Sequence, residues 1–265
     1  MGTLLQIAAR GPDQLAVEAA MEAALNAVDR VDRLMSFHRA DSELTRLNCY
    51  ASRTPVEVNP WTYGVLRRAV RFAALSNGLF DVTVAPVLIE RGLLPPLEGA
   101  AAGDGKWQDI VLLPHSRVLF ERPMQIDLGG IAKGFAVDRA IHALHQGGCT
   151  DAMVNAGGDL RAYGKERRPI YLRRRAGLLQ VAELRCGAIA TSTPYAQAPE
   201  RLAQPIGCIV DPAARDAWHG AGSVMIAARS CVIADALTKV AALSGPACAP
   251  LLAKFGAHAY WDDVL

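Results

Sequence analysis

The stretch Gln125-Ile-Asp-Leu-Gly-Gly-Ile-Ala-Lys-Gly-Phe-Ala-Val-Asp138 constrains the fold more than any other part of the chain. An apolar, strand-like run over 125–128 carries an acidic residue, Asp127, near its end. Gly129 and Gly130 follow, and the Lys133-Gly134 step leads into a helical pattern. Two adjacent glycines let the backbone turn tightly and approach a ligand with no Cβ in the way. The helix start beyond them offers unpaired N–H groups and the positive end of its dipole, which suits a phosphate. Asp127 can accept hydrogen bonds or approach a cation, and Lys133 can neutralise a phosphate. The same residues also read as a plain strand–turn–helix connection with a surface lysine. On this stretch alone both readings stand.

The chain has 265 residues, enough for one large domain or two small ones with a real core. Hydrophobic residues make up 51% and charged residues 20%, a globular rather than a disordered balance. The net charge of +2 is too mild to imply a nucleic-acid partner, and no Lys/Arg stripe interleaves with aromatics. The densest basic run, Arg167-Arg168 and Arg173-Arg174-Arg175, flanks a short apolar segment and reads as a solvated strand face. The six cysteines, Cys49, Cys149, Cys186, Cys208, Cys231 and Cys248, form no C-x-x-C pair. Their irregular spacing argues against structural zinc or a disulfide framework. They read as small buried hydrophobes in a reducing compartment. No apolar run of the roughly 20 residues that a membrane span needs is expected. With no basic-then-apolar leader pattern, the chain as given is expected in the cytoplasm, or in the periplasm if an export segment has been trimmed.

Periodicity gives the elements. Met1 to Arg10 predicts a strand. Pro12-Asp13 opens a long helix whose stripe is Val17, Met21, Ala24, Val28, Val31 and Met35. Ser42 predicts the N-cap of a short helix over 43–47. A third helix is expected from Trp61 to Ser76, closed by the left-handed cap signature Asn77-Gly78. Phe80 to Ile89 is β-rich but interrupted by Pro86, which suggests an edge strand or a strand end. Gly92 to Lys106 reads as a loop. Asp109 to Leu113 and Arg117 to Phe120 form a hairpin pattern. The helix after Lys133 should end at Gly147-Gly148. The second half is mostly strands: 152–155, 160–163, 170–173, 179–184, 188–192, 208–210 and 223–227. A helix over 234–243, a short further helix and a strand over 257–261 finish the chain. Without steady βαβ alternation, the class is α+β, with mixed or antiparallel sheets and flanking helices in one domain spanning 1–265.

Six short motifs occur in order: Met1-Gly-Thr3; Met35-Ser-Phe-His-Arg-Ala-Asp-Ser-Glu-Leu-Thr-Arg-Leu-Asn48; Phe80-Asp-Val-Thr-Val-Ala-Pro86; the Asp127 stretch; Val154-Asn-Ala-Gly-Gly-Asp159; and Ala234-Asp-Ala-Leu-Thr-Lys239. Each alone has a bland reading, such as a turn at Gly157-Gly158-Asp159 or a helix cap at Asp235. Their joint order resembles the ApbE family, flavin transferases that move FMN from FAD onto a threonine or serine of a target protein. The resemblance runs from Met1 to about Leu243.

The resemblance implies roles by position. Met1, Phe37, Leu79, Phe80, Asp81, Asp127 and Lys133 fall where the family contacts FAD. The carbonyl of Gly130 and the carboxylate of Asp235 fall where it holds Mg²⁺. Attack of a hydroxyl on the FMN-side phosphorus would expel AMP, and an oxygen-ligated dication with fixed N–H donors would stabilise the charge that builds on the phosphate oxygens. The implied partner is an acceptor protein with an exposed Ser/Thr, a redox subunit at or near a membrane. No nucleic acid and no membrane span is implied. An accessory flavin-binding role and hydrolysis of FAD to FMN and AMP are the alternatives.

Three departures from the family pattern stand out. Lys239 occupies the family's threonine position four residues after Asp235, and Thr238 comes one residue early. On a helix i+4 lies about 40° from i, whereas i+3 lies about 60° away on the other side, so Lys239 overlays the position. An ammonium cannot ligate Mg²⁺. Lys239 is therefore expected, with Asp235, among the catalytic groups, replacing part of a metal's charge by reaching Asp235 or the diphosphate. The rivals are a solvent-facing Lys239 with Thr238 serving the metal, and a weakened site. Cys208 stands where the family has a histidine, and Ser192-Thr-Pro-Tyr195 replaces Ser-Gly-x-Tyr. His142 and His145, i and i+3 on the helix after Lys133, are expected to face solvent.

Overall fold

The computed structural model describes residues 3–100, 103–174, 177–193, 209–218, 220 and 222–262. In chain order its elements are β1 (Leu5–Arg10), α1 (Gln14–Met35), α2 (Glu43–Tyr50), β2 (Val56–Glu57), α3 (Pro60–Leu75), α4 (Ala85–Glu90), β3 (Ile110–Leu113), β4 (Arg117–Phe120) and α5 (Ala132–Gln146). Then come β5 (Asp151–Ala156), β6 (Asp159–Tyr163), β7 (Arg168–Arg174), β8 (Gly177–Leu184), β9 (Gly187–Ser192), β10 (Val210–Asp211), β11 (Asp216–Ala217), β12 (Ser223–Ala228), α6 (Cys231–Ser244), α7 (Ala249–Phe255) and β13 (His258–Asp262). The main sheet has the order β1-β5-β6-β9-β12-β13, and every pairing in it is antiparallel. β2-β4-β3 form a second, three-stranded sheet, and β7-β8 and β10-β11 are separate hairpins. The α+β expectation holds.

The helix starts follow their caps. Asp13 accepts from Leu15 N–H at 3.1 Å, and Ser42 from Thr45 N–H at 3.1 Å. α1 buries Val17, Ala20, Ala24, Val28, Val31 and Met35. Met21 sits at the edge of that stripe, half-buried. Asn77 and Gly78 take the expected positive φ after α3, 53° and 83°. α1, α5 and α6 contribute to one hydrophobic core that runs from Val17 to Ala257 and is covered on one side by the main sheet.

Some expectations are overturned. The β-rich run over 80–89 ends in a helix, α4, because Pro86 sits in its first turn, where a missing N–H leaves nothing unpaired. Arg168 is not solvated: its guanidinium pairs with Asp151 and is mostly buried. Arg167 is exposed and reaches Glu183 at 3.6 Å. Arg175 and the side chains of Arg173 and Arg174 lie outside what the structure describes. The run Cys231–Phe255 has the length and apolarity of a membrane span, against expectation. A 3₁₀ turn at Gly245–Cys248 divides it, and α6 packs between α5 and the strands β9 and β12.

The 125–128 segment is not a sheet strand. Its backbone is paired by other means. Ile126 N–H donates to the Asn48 side-chain oxygen at 2.8 Å, and Asn48 Nδ2 donates back to Ile126 C=O at 3.0 Å. Asp127 N–H donates to Val82 C=O at 2.8 Å. One buried amide from α2 thus does the work of a neighbouring strand. Asn48→Ala strands both Ile126 groups in the core. It is expected to lower unfolding stability by about 2 kcal/mol, read as a reduced urea midpoint at unchanged slope.

Candidate active site

The turn before α5 and the first two turns of α6 converge. Gly134 permits it: a Cβ there would lie 2.3 Å from the Cys231 carbonyl oxygen and 2.8 Å from Asp235 Cβ. At that close crossing Gly134 N–H donates to Asp235 Oδ2 at 3.0 Å. One of the helix-start amides expected to meet a phosphate is therefore occupied by a protein carboxylate. α6 is itself clasped from α5. Asp138 accepts from Cys231 N–H at 2.9 Å and Val232 N–H at 3.0 Å, filling the cap that Ser230 does not make. Arg161 holds the same carboxylate at 2.7 Å.

Four charged side chains meet at this crossing. Lys133 Nζ lies 2.9 Å from Asp159 Oδ2 and 3.7 Å from Asp235 Oδ1. It also donates to Gly129 C=O at 3.4 Å. Lys239 Nζ donates to the Asp235 carboxylate and, at 3.1 Å, to the Asp235 carbonyl. Asp235 is completely buried. Burial favours its neutral form, but Lys133, Lys239 and the Gly134 N–H outweigh this and hold its carboxyl below the usual range. Among the described residues Asp159 has one ammonium in contact. Burial and then the Asp235 charge push it up to about 6. Burial would lower Lys133, yet Asp235 and Asp159 raise it above the ordinary lysine value.

A cavity of about 360 Å³ opens beside this cluster, lined by Phe37, His38, Asp127, Gly129, Ala132 and Lys133 among others. Burial raises the Asp127 carboxyl, and its Oδ2 accepts from Gly129 N–H at 3.0 Å. Phe37 belongs to the main core. Phe80 is buried edge-on against Phe72 at 5.9 Å, with its ring also beside Gly130. Leu79 is half-buried. Asp81 accepts from Thr83 N–H at 2.8 Å, and burial raises its carboxyl. Met1, Cys208, Pro194 and Tyr195 lie outside the described residues. Of the expected site, Phe37, Asp127 and Lys133 share the cavity, and Lys133 joins it to Asp235 and Lys239. The sequence marks Asp159 only as a turn residue and gives Asp138 no role. The signal for both was an acidic residue in a motif whose neighbours already pointed to the site.

The rival with a solvent-facing Lys239 and Thr238 serving the metal does not fit. The Lys239 ammonium faces Asp235 rather than solvent. Thr238 is fully buried, donates to Asp235 C=O at 2.7 Å and shares a 2.7 Å hydrogen bond with Ser192. The Mg²⁺ implied by the resemblance does not fit this arrangement. Asp235 Oδ2 accepts from Gly134 N–H and Oδ1 from the Lys239 ammonium, with the Lys133 ammonium 3.7 Å from Oδ1, and an ammonium takes the position of a neutral ligand. Among the described residues no group of three or more His, Cys, Asp or Glu is placed to hold a metal ion.

A profile of the ApbE family matches residues 1–261. The chain belongs to the ApbE family. A relative from Vibrio cholerae named FAD:protein FMN transferase is 29% identical over 231 residues, 79% of this chain and 69% of its own length. One of the same name from Treponema pallidum is 31% identical over 163 residues, 56% of this chain and only 45% of its own length. Among solved structures, an ApbE protein from Thermotoga maritima superposes with a TM-score of 0.81 at 26% identity, covering 98% of this chain and 91% of its own. The flavin transferase ApbE from Vibrio cholerae shares the fold, with a TM-score of 0.79 at 24% identity over 100% and 92% of the two chains.

Two outcomes are expected for this ApbE-family site. Asp138→Ala leaves the first amides of α6 without an acceptor and Arg161 without its partner. It should cost about 2 kcal/mol in chemical unfolding, and Asp138→Asn, which keeps one acceptor oxygen, less. Asp159 has a folded pKa above its unfolded value. Its favourable contribution is complete below pH 3.8 and is lost as pH rises through about 6. The difference in melting temperature between wild type and Asp159→Asn should therefore shift against wild type across that window. A difference that is flat with pH would show that Asp159 does not titrate there.

Proposed function

We propose that this chain transfers FMN from FAD to a Ser or Thr hydroxyl of an acceptor protein and releases AMP. The observation that carries the reading is the placement of Lys133, which lines the cavity and also binds the Asp159–Asp235 pair. An anionic diphosphate held at the start of α5 would meet this ammonium and the positive end of the helix dipole. The names of the relatives support flavin as the diphosphate's passenger.

In this reading the acceptor oxygen attacks the FMN-side phosphorus. A new P–O bond forms as the bridging P–O bond breaks, AMP leaves with the bridging oxygen, and the hydroxyl proton passes to solvent. The groups of this chain bind and orient. Phe37, at the cavity wall, offers apolar surface for a flat ring, with Phe80 packed behind the turn at Gly130. Asp81 and Asp127 accept hydrogen bonds from ring or ribose donors. Lys133 and Lys239 stabilise the phosphate charge. Mg²⁺ has no part in this reading, because the charge cluster does not fit it. The acceptor is proposed to be a redox subunit at or near a membrane.

The test incubates the protein with FAD and a peptide bearing Asp-Gly-x-Ser/Thr-x-Ala/Thr. A fluorescent covalent flavin–peptide adduct with equimolar AMP is expected. Lys133→Met should slow adduct formation about a hundredfold or more, as removing one fixed charge-stabilising donor typically does. AMP without an adduct would mean hydrolysis, and bound FAD with neither product would mean an accessory role; either replaces the transfer reading.

A further inference from the structure

We propose that the ammonium of Lys239 is a built-in substitute for a divalent cation, so that this chain holds a diphosphate with two lysines and no metal. Three observations carry this. First, Lys239 lies between the two elements that meet at the site. Its ammonium contacts the Asp235 carboxylate and carbonyl of α6, while its stem lies against the turn, 3.5 Å from where a Gly130 Cβ would be. Second, the described residues leave no ligand sphere for a dication. Asp235 Oδ2 is taken by Gly134 N–H, and Oδ1 faces both lysines. The Thr238 hydroxyl is turned to Ser192 and to the helix backbone.

Third, the charges balance without a metal. Asp159 and Asp235 face Lys133 and Lys239, so the ionised cluster sums to zero. A threonine at 239 would leave it at −1, with the buried Asp235 short of one partner, a setting that draws a cation. With lysine there, a dication would enter beside two like charges at close range in a poorly solvated site, which is strongly unfavourable. The ammonium supplies one positive charge instead of two. It is fixed by an i,i+4 contact on its own helix, and so costs nothing in metal recruitment.

The inference rests on the flavin reading only for the identity of the diphosphate. Its test therefore has two arms on the purified full-length chain. In the first, Mn²⁺ binding is followed by electron paramagnetic resonance in wild type and Lys239→Thr, with folding checked by circular dichroism. Lys239→Thr should bind Mn²⁺ at least about tenfold more tightly than wild type, because a like charge at contact distance has gone. Equal or tighter binding by wild type overturns the proposal. In the second, FAD affinity of wild type is measured by fluorescence quenching in excess chelator and in excess Mg²⁺. The two affinities should agree within about twofold. A loss of FAD binding in chelator overturns the proposal even if the variant does not fold. Absence of FAD binding under both conditions would instead remove the flavin reading, and the Mn²⁺ arm would still decide the role of Lys239.

Discussion

The buried carboxylate of Asp235 is the constraint on which the rest of the site depends. A carboxylate with no exposed surface costs several kcal/mol unless it is paired and fully hydrogen-bonded. Here its partners come from two helices: the Gly134 amide and Lys133 from α5, and Lys239 from its own helix, α6. They can reach it only because α5 and α6 cross within contact distance at a residue without a side chain. Helix geometry, the glycine and the two lysines are thus one requirement. A larger residue at 134 would separate the helices and leave the carboxylate unpaired.

The same logic explains why other polar side chains are buried around the site. The 125–128 segment leads directly to the turn that carries Asp127 and Gly129, yet it has no strand beside it. Asn48 satisfies both backbone groups of Ile126, and Val82 satisfies Asp127. Asp138 similarly caps α6 across the helix crossing and is itself held by Arg161 from β6. Each is a long-range contact in sequence. Together they fix the turn and the start of α6 relative to each other, which is what two-sided binding of an anion demands.

Much of this was legible in the sequence, and the limits have physical causes. α1, α2 and α3 were readable because their apolar spacing and cap residues agree, and so were the antiparallel strands of the second half. The run over 80–89 was misread because Val, Ile and Phe favour strands locally, whereas one proline placed in a first turn permits a helix. The 125–128 segment was misread for a related reason. Its residues are strand-like, but hydrogen-bond partners are a tertiary property. Lys133, Asp235 and Lys239 stand in ordered motifs and meet in the fold, with Asp127 in the cavity beside Lys133. Asp159 and Asp138 stood in the same motifs but were passed over. Their roles exist only once β6 and α5 are brought against α6, and no spacing along the chain encodes that. The larger groove, about 690 Å³, is lined by Asp138 and Arg161 as well as His142, His145 and His258, and extends from the clasp on α6 toward the end of α5. Its lining on that helix begins at Asp138, about 7.5 Å along from Lys133 at 1.5 Å per residue.

Adjacent positions on α6 show how charge at the site can change while the fold stays fixed. Successive helical residues point about 100° apart. Thr238 therefore turns its hydroxyl to Ser192 on β9, while Lys239 lays its stem against the turn before α5 and its ammonium on Asp235. A shift that carried Thr238 into the place of Lys239 would rotate Asp235 away from Gly134 and break the Asp138 clasp on the first turn. The apolar face of α6, buried between α5 and the sheet, would have to turn with it. The helix cannot be re-registered to suit a ligand at so many simultaneous costs. What can change without turning the helix is the side chain at position 239 itself: a hydroxyl there fits the same backbone but leaves the buried Asp235 with one positive charge fewer beside it.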